Sequence, residues 1–214
     1  MMPIAETLAE VPRLRAQVAP MDVALFCLGR STTYRELDER SSRVANGLLV
    51  AGCGPAARIA YLGKNSDSYF EILFGGAKAR VATVAVNWRL APPEVEYVLA
   101  DSGSKILFVD PEFAPMVESM RDWLTALERV VVLGPGGAGK DYAAWRDAQP
   151  TVDPRLRVEP ADAVLQMYSS GTTGRPKGVE IPHRAFAPLR RAERELGPWA
   201  TVGAGDSSLI VMPI

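Results

Sequence analysis

Residues 163–179 read AVLQMYSSGTTGRPKGV, and the interpretation of the whole chain begins from this stretch. An apolar, strand-like run from Ala163 to Met167 leads into four hydroxyl side chains, three glycines and one lysine. Glycine lets backbone N–H groups turn toward a ligand without a Cβ clash. A concave set of amides and hydroxyls with one ammonium group suits a polyphosphate. The segment from Ser169 to Lys177, called the Ser169–Lys177 loop below, is therefore a predicted phosphate-binding loop.

Composition excludes several classes of protein. The chain has 214 residues, 48% of them hydrophobic, and a formal net charge of −1, which gives no electrostatic case for binding nucleic acid. No apolar run is long enough to span a membrane, and the N-terminus lacks an apolar signal segment, so a cytoplasmic location is expected. Cys27 and Cys53 lack metal-ligand spacing and are interpreted as two packed free thiols. The one histidine, His183, is predicted to be structural rather than a catalytic base.

Short apolar runs alternate with segments of helical periodicity, which predicts an α/β fold: mostly parallel sheets with helices on both faces. The predicted strands cover residues 23–28, 58–62, 82–86, 105–110, 130–133 and 163–167, with strand character again at 209–214. Thr33 and Glu36 form a capping-box pattern at the start of a helix. Further helices are predicted over residues 70–77, after Pro93, over 112–127 and from about Pro182. Gly75 and Gly76, inside one of these helices, indicate close packing of two backbones.

A second glycine-rich segment, residues 134–141, reads GPGGAGKD and fits the first part of a P-loop pattern. It departs from the pattern at Asp141, where a serine or threonine should contact Mg²⁺ and where a carboxylate would repel phosphate. A surface loop is the favoured interpretation. A P-loop NTPase that uses Lys140 is the alternative.

The twelve residues from Tyr168 to Val179 resemble the signature of the adenylate-forming superfamily, which includes acyl-CoA synthetases, luciferases and adenylation domains. Weaker similarities extend over most of the chain, at residues 33–37, 65–66, 70–75, 87–90 and 101–103. The versions at 87–90 and 101–103 are similar to those of fatty-acid–CoA ligases. The resemblance therefore covers the fold as well as the loop.

The resemblance implies an acid–thiol ligase that converts a carboxylic acid, most simply a fatty acid, into an acyl-adenylate and then a CoA thioester. It implies ATP, Mg²⁺ and CoA as cofactor and co-substrates. Lys177 and Thr172 are the implied catalytic residues, and Thr172 the implied contact to Mg²⁺. The implied nucleotide-binding residues are Ser169, Ser170, Gly171, Thr172, Thr173, Gly174, Arg175, Pro176 and Lys177. Arg175 stands at a variable position of the signature, so a solvated side chain is expected there.

Residues 1–214 are expected to form the N-terminal part of an AMP-binding domain. The later segments that contact adenine and ribose in the superfamily, and its small lysine-bearing C-terminal domain, are not found in the sequence. The isolated chain is accordingly expected to be inactive, and homo-oligomerisation is left open. The alternatives are a non-catalytic nucleotide- or partner-binding fragment and, within the superfamily, an acyl-AMP ligase or an aryl-CoA ligase.

Overall fold

The computed structural model describes residues 5–134, 140–169, 175–186, 188 and 205–211. The helices in this part of the chain are α1 (Glu10–Val18), α2 (Tyr34–Val50), α3 (Asp67–Ala79), α4 (Pro92–Ser102), α5 (Ala114–Ser119) and α6 (Lys140–Asp147). The strands are β1 (Val23–Cys27), β2 (Arg30–Thr33), β3 (Arg58–Leu62), β4 (Ala82–Val86), β5 (Ile106–Val109), β6 (Arg129–Val132), β7 (Ala163–Ser169) and β8 (Lys177–Pro182). Short 3-10 turns occupy Arg121–Trp123 and His183–Ala185. No helix among the described residues is long and apolar enough to cross a membrane.

The predicted α/β architecture is confirmed. In the described residues the main sheet has the strand order β6-β5-β3-β4-β7-β8, and every neighbouring pair is parallel except the antiparallel pair β7–β8. β1 and β2 form a separate antiparallel hairpin. Two apolar clusters lie against the main sheet, one involving α2 and α3 and the other α4 and α5. The strands predicted at 58–62 and 82–86 have the bounds of β3 and β4.

Two predicted local features concern the start of α2 and the packing of α3 against α2. The capping box is present, since Thr33 Oγ1 accepts from the Glu36 N–H at 3.3 Å and Glu36 Oε2 accepts from the Thr33 N–H at 2.8 Å. A Cβ atom on Gly75 would lie 2.5 Å from Val44 Cβ, which confirms close packing between α3 and α2. Any side chain at Gly75 would force these two helices apart.

The helix predicted over residues 112–127 is wrong in extent. The chain forms α5, then the 3-10 turn Arg121–Trp123, and no regular element from there to β6. Val117, Met120, Leu124 and Leu127 are all buried, so the apolar pattern indicated the core correctly. The chain has to turn back toward the start of β6 within this segment. Short turns achieve that reversal with the same side chains inward, and one straight helix would not.

The C-terminal predictions have mixed outcomes. The strand character read at 209–214 is not realised over residues 209–211, which are exposed and have no strand partner among the described residues. The helix predicted from about Pro182 does not begin there. Pro182 is the last residue of β8, and the 3-10 turn His183–Ala185 follows it. Beyond Phe186 nearly all residues lie outside the described ones, so a helix there stays a prediction.

Buried charges in the first part of the chain are paired. Lys78 is fully buried, and its Nζ donates to Asp38 Oδ1 at 2.6 Å and to Ser42 Oγ at 2.9 Å. Burial lowers the pKa of Lys78, and the neighbouring Asp38 partly opposes that effect. Glu71, also buried, accepts from the Tyr142 hydroxyl and from Arg146, each at 2.8 Å. The Lys78 contacts join α3 to α2, and the Glu71 contacts join α3 to α6. Removing one partner would leave an unpaired buried charge, which is strongly destabilising.

Candidate nucleotide site

The Ser169–Lys177 loop begins at the carboxyl edge of the parallel strands, as predicted. β3, β4, β5 and β7 run in the same direction, so their last residues, from Leu62 to Ser169, lie along one edge of the sheet. Ligands of open α/β sheets bind beyond this edge. The ends of β3 and β5 are joined there, because Asp110 Oδ2 accepts from the Lys64 N–H at 2.7 Å.

The described residues include both ends of the predicted loop. Ser169 is the last residue of β7, and Arg175 and Pro176 lead into Lys177, the first residue of β8. Ser170, Gly171, Thr172, Thr173 and Gly174 lie outside the described residues, so their predicted contacts, including that of Thr172 with Mg²⁺, stay predictions. Among the described residues, no three His, Cys, Asp or Glu side chains come together as a metal site.

Strand β8 was not predicted, and its pairing with β7 determines which face of the sheet carries the side chains at the two ends of the loop. Ser169 is paired directly with Lys177 across the antiparallel ladder. Residues directly opposite each other in such a ladder place their side chains on the same face of the sheet. The hydroxyl of Ser169 and the ammonium group of Lys177 therefore share a face, together with Met167 and Val179, which are half exposed.

This face suits a negatively charged ligand. Ser169 and Lys177 are both exposed. Within the described residues Lys177 forms no ion pair with a carboxylate, although most other cations near the sheet do. A free ammonium group and a free hydroxyl on adjacent strands can together contact phosphate oxygens. The residues present therefore fit a polyphosphate.

The opposite face of the hairpin is occupied by a polar network that sequence reasoning missed. Gln166 Oε1 accepts from Arg58 Nε at 2.6 Å, and Arg58 also forms an ion pair with Glu180. Gln166 Nε2 donates to the Tyr168 hydroxyl at 3.1 Å. A polar residue inside the apolar run 163–167 was the available signal, because a buried amide needs partners.

Gly178 is explained by this network. A Cβ atom at that position would lie 2.3 Å from Gln166 Nε2 and 3.0 Å from Cζ of Tyr168. Glycine is therefore favoured because side chains of the neighbouring strand fill the space, and no unusual backbone angle is involved. The third glycine of the motif has a packing function.

Arg175 has the expected solvent exposure and, in addition, an aromatic partner. It is exposed, but its guanidinium carbon lies 5.5 Å from the centre of the Tyr97 ring, within the range of a cation–π contact. The aromatic partner comes from helix α4, 78 positions earlier in the chain. No periodicity in the sequence indicates a contact of that separation.

His183 has the predicted structural role. It is buried, and its Nδ1 accepts from the Leu8 N–H at 3.0 Å, which fastens the N-terminal segment beside the end of β8. Burial lowers the pKa of His183 to about 4. The neutral imidazole is required for the Leu8 contact, so this histidine is poorly suited to the proton transfer of a general base near neutral pH.

Both cysteines are free thiols, as predicted, with Cys53 buried and Cys27 half-buried. They lie away from the loop, on β1 and after α2. Burial raises the pKa of Cys53, so its thiol is unreactive.

Comparison with known proteins gives one consistent family. The family model described as AMP-binding enzyme matches residues 13–214. A fatty acid–[acyl-carrier-protein] ligase of Streptomyces coeruleorubidus, ScoC, is 43% identical over 213 residues, which is 99% of this chain and 40% of that protein. A 3-hydroxybenzoate–CoA/4-hydroxybenzoate–CoA ligase of Thauera aromatica is 36% identical over 188 residues, 86% of this chain and 36% of that protein. The chain thus spans well under half the length of these relatives.

Solved structures agree on the fold. The anthranilate CoA ligase AuaEII in complex with anthranoyl-AMP matches with a TM-score of 0.79 at 30% identity, over 90% of this chain and 37% of that one. The N-terminal domain of FACL13 from Mycobacterium tuberculosis, bound to an inhibitor, also has a TM-score of 0.79, at 27% identity, over 90% of this chain and 47% of that one.

Proposed function

The chain belongs to the AMP-binding enzyme family, and from this premise we propose that its protein uses ATP to activate a carboxylic acid. The product of the first step is an acyl-adenylate, and that of the second is a thioester. The single observation that supports this most directly is the pairing of Ser169 with Lys177, which puts a hydroxyl and an ammonium group on one exposed face of the described structure.

The first step is an in-line substitution at phosphorus. A carboxylate oxygen of the acid attacks the α-phosphorus of ATP, the bond to the bridging oxygen breaks, and pyrophosphate leaves with the electron pair. In the second step a thiol sulfur attacks the acyl carbonyl carbon, and AMP leaves with the electrons of the C–O bond. The thiol proton passes to solvent.

Lys177 and Ser169 would act on the departing pyrophosphate. Negative charge grows on the leaving group as the phosphorus–oxygen bond breaks, and fixed donors stabilise that charge. Lys177 supplies the ammonium charge and Ser169 a hydroxyl donor, with Thr172 as the proposed hydroxyl beside the metal. Mg²⁺, when bound with ATP, would neutralise part of the phosphate charge.

We further propose a fatty acid as the substrate and CoA as the thiol. The streptomycete relative is named for a fatty acid, while the Thauera relative is named for hydroxybenzoates. The streptomycete protein is named for an acyl-carrier-protein thiol and the other for CoA. The acid and the thiol are therefore two separate variables in any test.

The test is ATP–pyrophosphate exchange by the complete gene product with a panel of fatty, benzoic and cinnamic acids. We expect exchange with fatty acids, and Lys177→Ala should lower kcat/KM for ATP roughly 100-fold because one charged donor to the phosphates is lost. Lys140→Ala is the matched control, and its kcat/KM should equal that of the wild type. Loss in Lys140→Ala alone would favour the P-loop alternative. Nucleotide binding without exchange for any acid would favour the non-catalytic alternative.

A thioester assay on the same preparations identifies the acceptor. Each active acid is incubated with ATP and either CoA or a phosphopantetheinylated carrier protein, and the thioester is detected by mass. A product with CoA supports the proposed acceptor. A product formed only with the carrier protein would overturn that part of the proposal.

A further inference from the structure

Helix α4 contacts both ends of the Ser169–Lys177 loop. On the outgoing side, the Tyr97 hydroxyl donates to the Pro176 carbonyl at 3.1 Å, and the Tyr97 ring lies beneath the Arg175 guanidinium. On the incoming side, the Tyr168 hydroxyl donates to Asp101 Oδ2 at 2.6 Å. The geometry points to α4 as the element that sets the spacing of the two loop ends, with Tyr97 and Asp101 as positioning residues for nucleotide binding. This inference rests on the proposed function.

The two residues act from one face of the helix. Tyr97 and Asp101 are four residues apart, so they lie one turn from each other on the same side of α4. The Tyr97 ring also contacts the Tyr168 ring edge to face, with centroids 6.4 Å apart. Tyr97 therefore contacts the strand that enters the loop as well as the segment that leaves it.

The helix itself is firmly held, which a positioning element requires. Val95, Val98 and Leu99 are at most 3% exposed and belong to the apolar cluster on that side of the sheet. The first turn is fixed because Glu94 Oε2 accepts from the Ala91 N–H at 2.8 Å. A rigid helix with polar groups directed at a hairpin can transmit its position to the loop ends.

The contacts are of the kind that specify geometry. Tyr168 stays protonated, because burial and the adjacent Asp101 both raise the pKa of its phenol, so it remains a donor to that carboxylate. The same hydroxyl accepts from Gln166, which joins the contact to the network under Gly178. Neither Tyr97 nor Asp101 is near enough to Ser169 or Lys177 to form a hydrogen bond with them in the described structure. Their effect on nucleotide would therefore be exerted through the loop ends.

Four variants of the complete gene product separate positioning from general stability. Tyr97→Phe removes the hydrogen bond to Pro176 and keeps the ring under Arg175. Tyr34→Phe is its matched control, since Tyr34 also lies under an arginine, at 5.4 Å from Arg15 Cζ, but on helix α2. Asp101→Ala removes the acceptor of Tyr168, while Asp101→Asn retains an acceptor oxygen and should rescue the effect.

Two measurements are made on each variant. The first is hydrogen–deuterium exchange of the peptide covering residues 168–180 without nucleotide. The second is Mg·ATP affinity by calorimetry, which is supplemented by the KM values for ATP and for the acid in pyrophosphate exchange. For Tyr97→Phe and Asp101→Ala we expect faster exchange in that peptide and about fivefold weaker Mg·ATP binding, which is the loss of one hydrogen bond. The KM for the acid should be unchanged in these two variants. Tyr34→Phe and Asp101→Asn should match the wild type in every measurement.

The outcomes distinguish this inference from the proposed function. Unchanged exchange of the 168–180 peptide in Tyr97→Phe and Asp101→Ala would overturn the inference, whatever the enzyme does. Faster exchange with unchanged Mg·ATP affinity would overturn the positioning role as well. A wild type that binds Mg·ATP but activates no acid would contradict the proposed function alone. Hydrogen–deuterium exchange and Mg·ATP affinity would still test whether α4 positions the loop ends.

Discussion

The central strands β3, β4 and β5 and the β7–β8 hairpin belong to one sheet but are held by different forces. Residues 59–62 of β3 are fully buried, and β5 is buried along its whole length. In β8, residues 177–180 are exposed. The central strands are stabilised by removal of apolar surface from water. The exposed part of the hairpin is held by the antiparallel ladder between β7 and β8 and by side-chain hydrogen bonds to Arg58 and to helix α4, while Val164 in β7 is buried in the core.

This difference matches what each region has to do. Apolar burial is large but non-directional, so it makes a rigid base without specifying the position of a polar group. Hydrogen bonds are individually small but directional, so they can fix a loop at a set distance from a ligand. The position of the hairpin is thus specified by directional contacts, and its local stability is lower than that of the central strands. Ligand-binding loops commonly have low local stability.

The largest loss of stability is expected from a substitution that leaves a cavity in the core of the central strands. Phe108 on β5 is fully buried and contacts Tyr142 and Trp145 edge to face. Phe108→Ala should lower the free energy of unfolding by about 4 kcal/mol, through lost burial and a cavity. Urea denaturation measures this. The control is Phe26→Ala on the β1–β2 hairpin, where the ring is 72% exposed and the expected change is about 0.5 kcal/mol or less. Equal losses would contradict burial as the main force.

The contact between the N-terminal segment and the end of β8 should be sensitive to acid through His183. Its folded-state pKa of about 4 lies below the ordinary value of 6.5, although the nearby Asp162 and Glu10 oppose the shift. Below pH 6.5 the unfolded chain therefore binds a proton at His183, whereas the folded chain binds that proton only near pH 4. Between pH 6.5 and pH 4 the titration of His183 should lower the free energy of unfolding by about 3 kcal/mol. Above pH 6.5 the contribution of His183 should be constant.

His183→Asn isolates that contribution. The asparagine side-chain oxygen can accept from the Leu8 N–H but does not titrate. Denaturation of both proteins at intervals from pH 7.5 to 4 would show the wild type losing more stability than the variant. A carboxylate with a lowered pKa that does not interact with His183, such as Asp153, contributes equally to both curves and cancels in the difference. Asp162 interacts with His183, so its change belongs to the measured difference. Parallel curves would rule out a neutral, buried His183 as the cause.

The smallest effect is expected from crowding the hairpin. Gly178→Ala would drive a methyl group against Gln166 and Tyr168, at a cost of about 1 kcal/mol in global stability because the exposed hairpin can move. Hydrogen exchange of the 168–180 peptide should increase much more than that global loss suggests. Gly54→Ala is the control, since its Cβ would meet nothing within 4 Å. If the two variants behave alike, the strand contact is not what requires glycine at position 178.

The sequence predicted the central region well because its signals are local. β3 and β4 have the predicted bounds, and the Thr33–Glu36 capping box is present. Apolar runs and caps report on neighbours within a few residues, which a one-dimensional pattern contains. The extent of the helix after Glu112 was wrong because the direction of the chain toward β6 depends on the sheet.

The residues of the candidate site stay predictions from the sequence, and the contacts that support the two loop ends were not predicted. The motif identified the loop and the family, and the comparisons confirm the family. Strand β8 was missed because its residues, KGVEIP, lack a clean alternation of apolar and polar side chains. Gln166 was read as part of an apolar run, although it is paired with Arg58 across the sheet.

The α/β class and the main strands of the sheet follow from the sequence alone, because they depend on residue types at short spacing. The phosphate-binding role of the loop is a prediction from the same kind of signal. Only the tertiary structure decided that Ser169 and Lys177 face the same side, that Gly178 makes room for Gln166, and that Tyr97 and Asp101 reach the loop ends. The contacts of Tyr97 and Asp101 join residues 79 and 67 positions apart, and the other two arrangements depend on the register of β7 with β8. All of them depend on how the sheet is assembled. The physical reason is that strand pairing and helix packing bring such residues together, and no local preference encodes their distance.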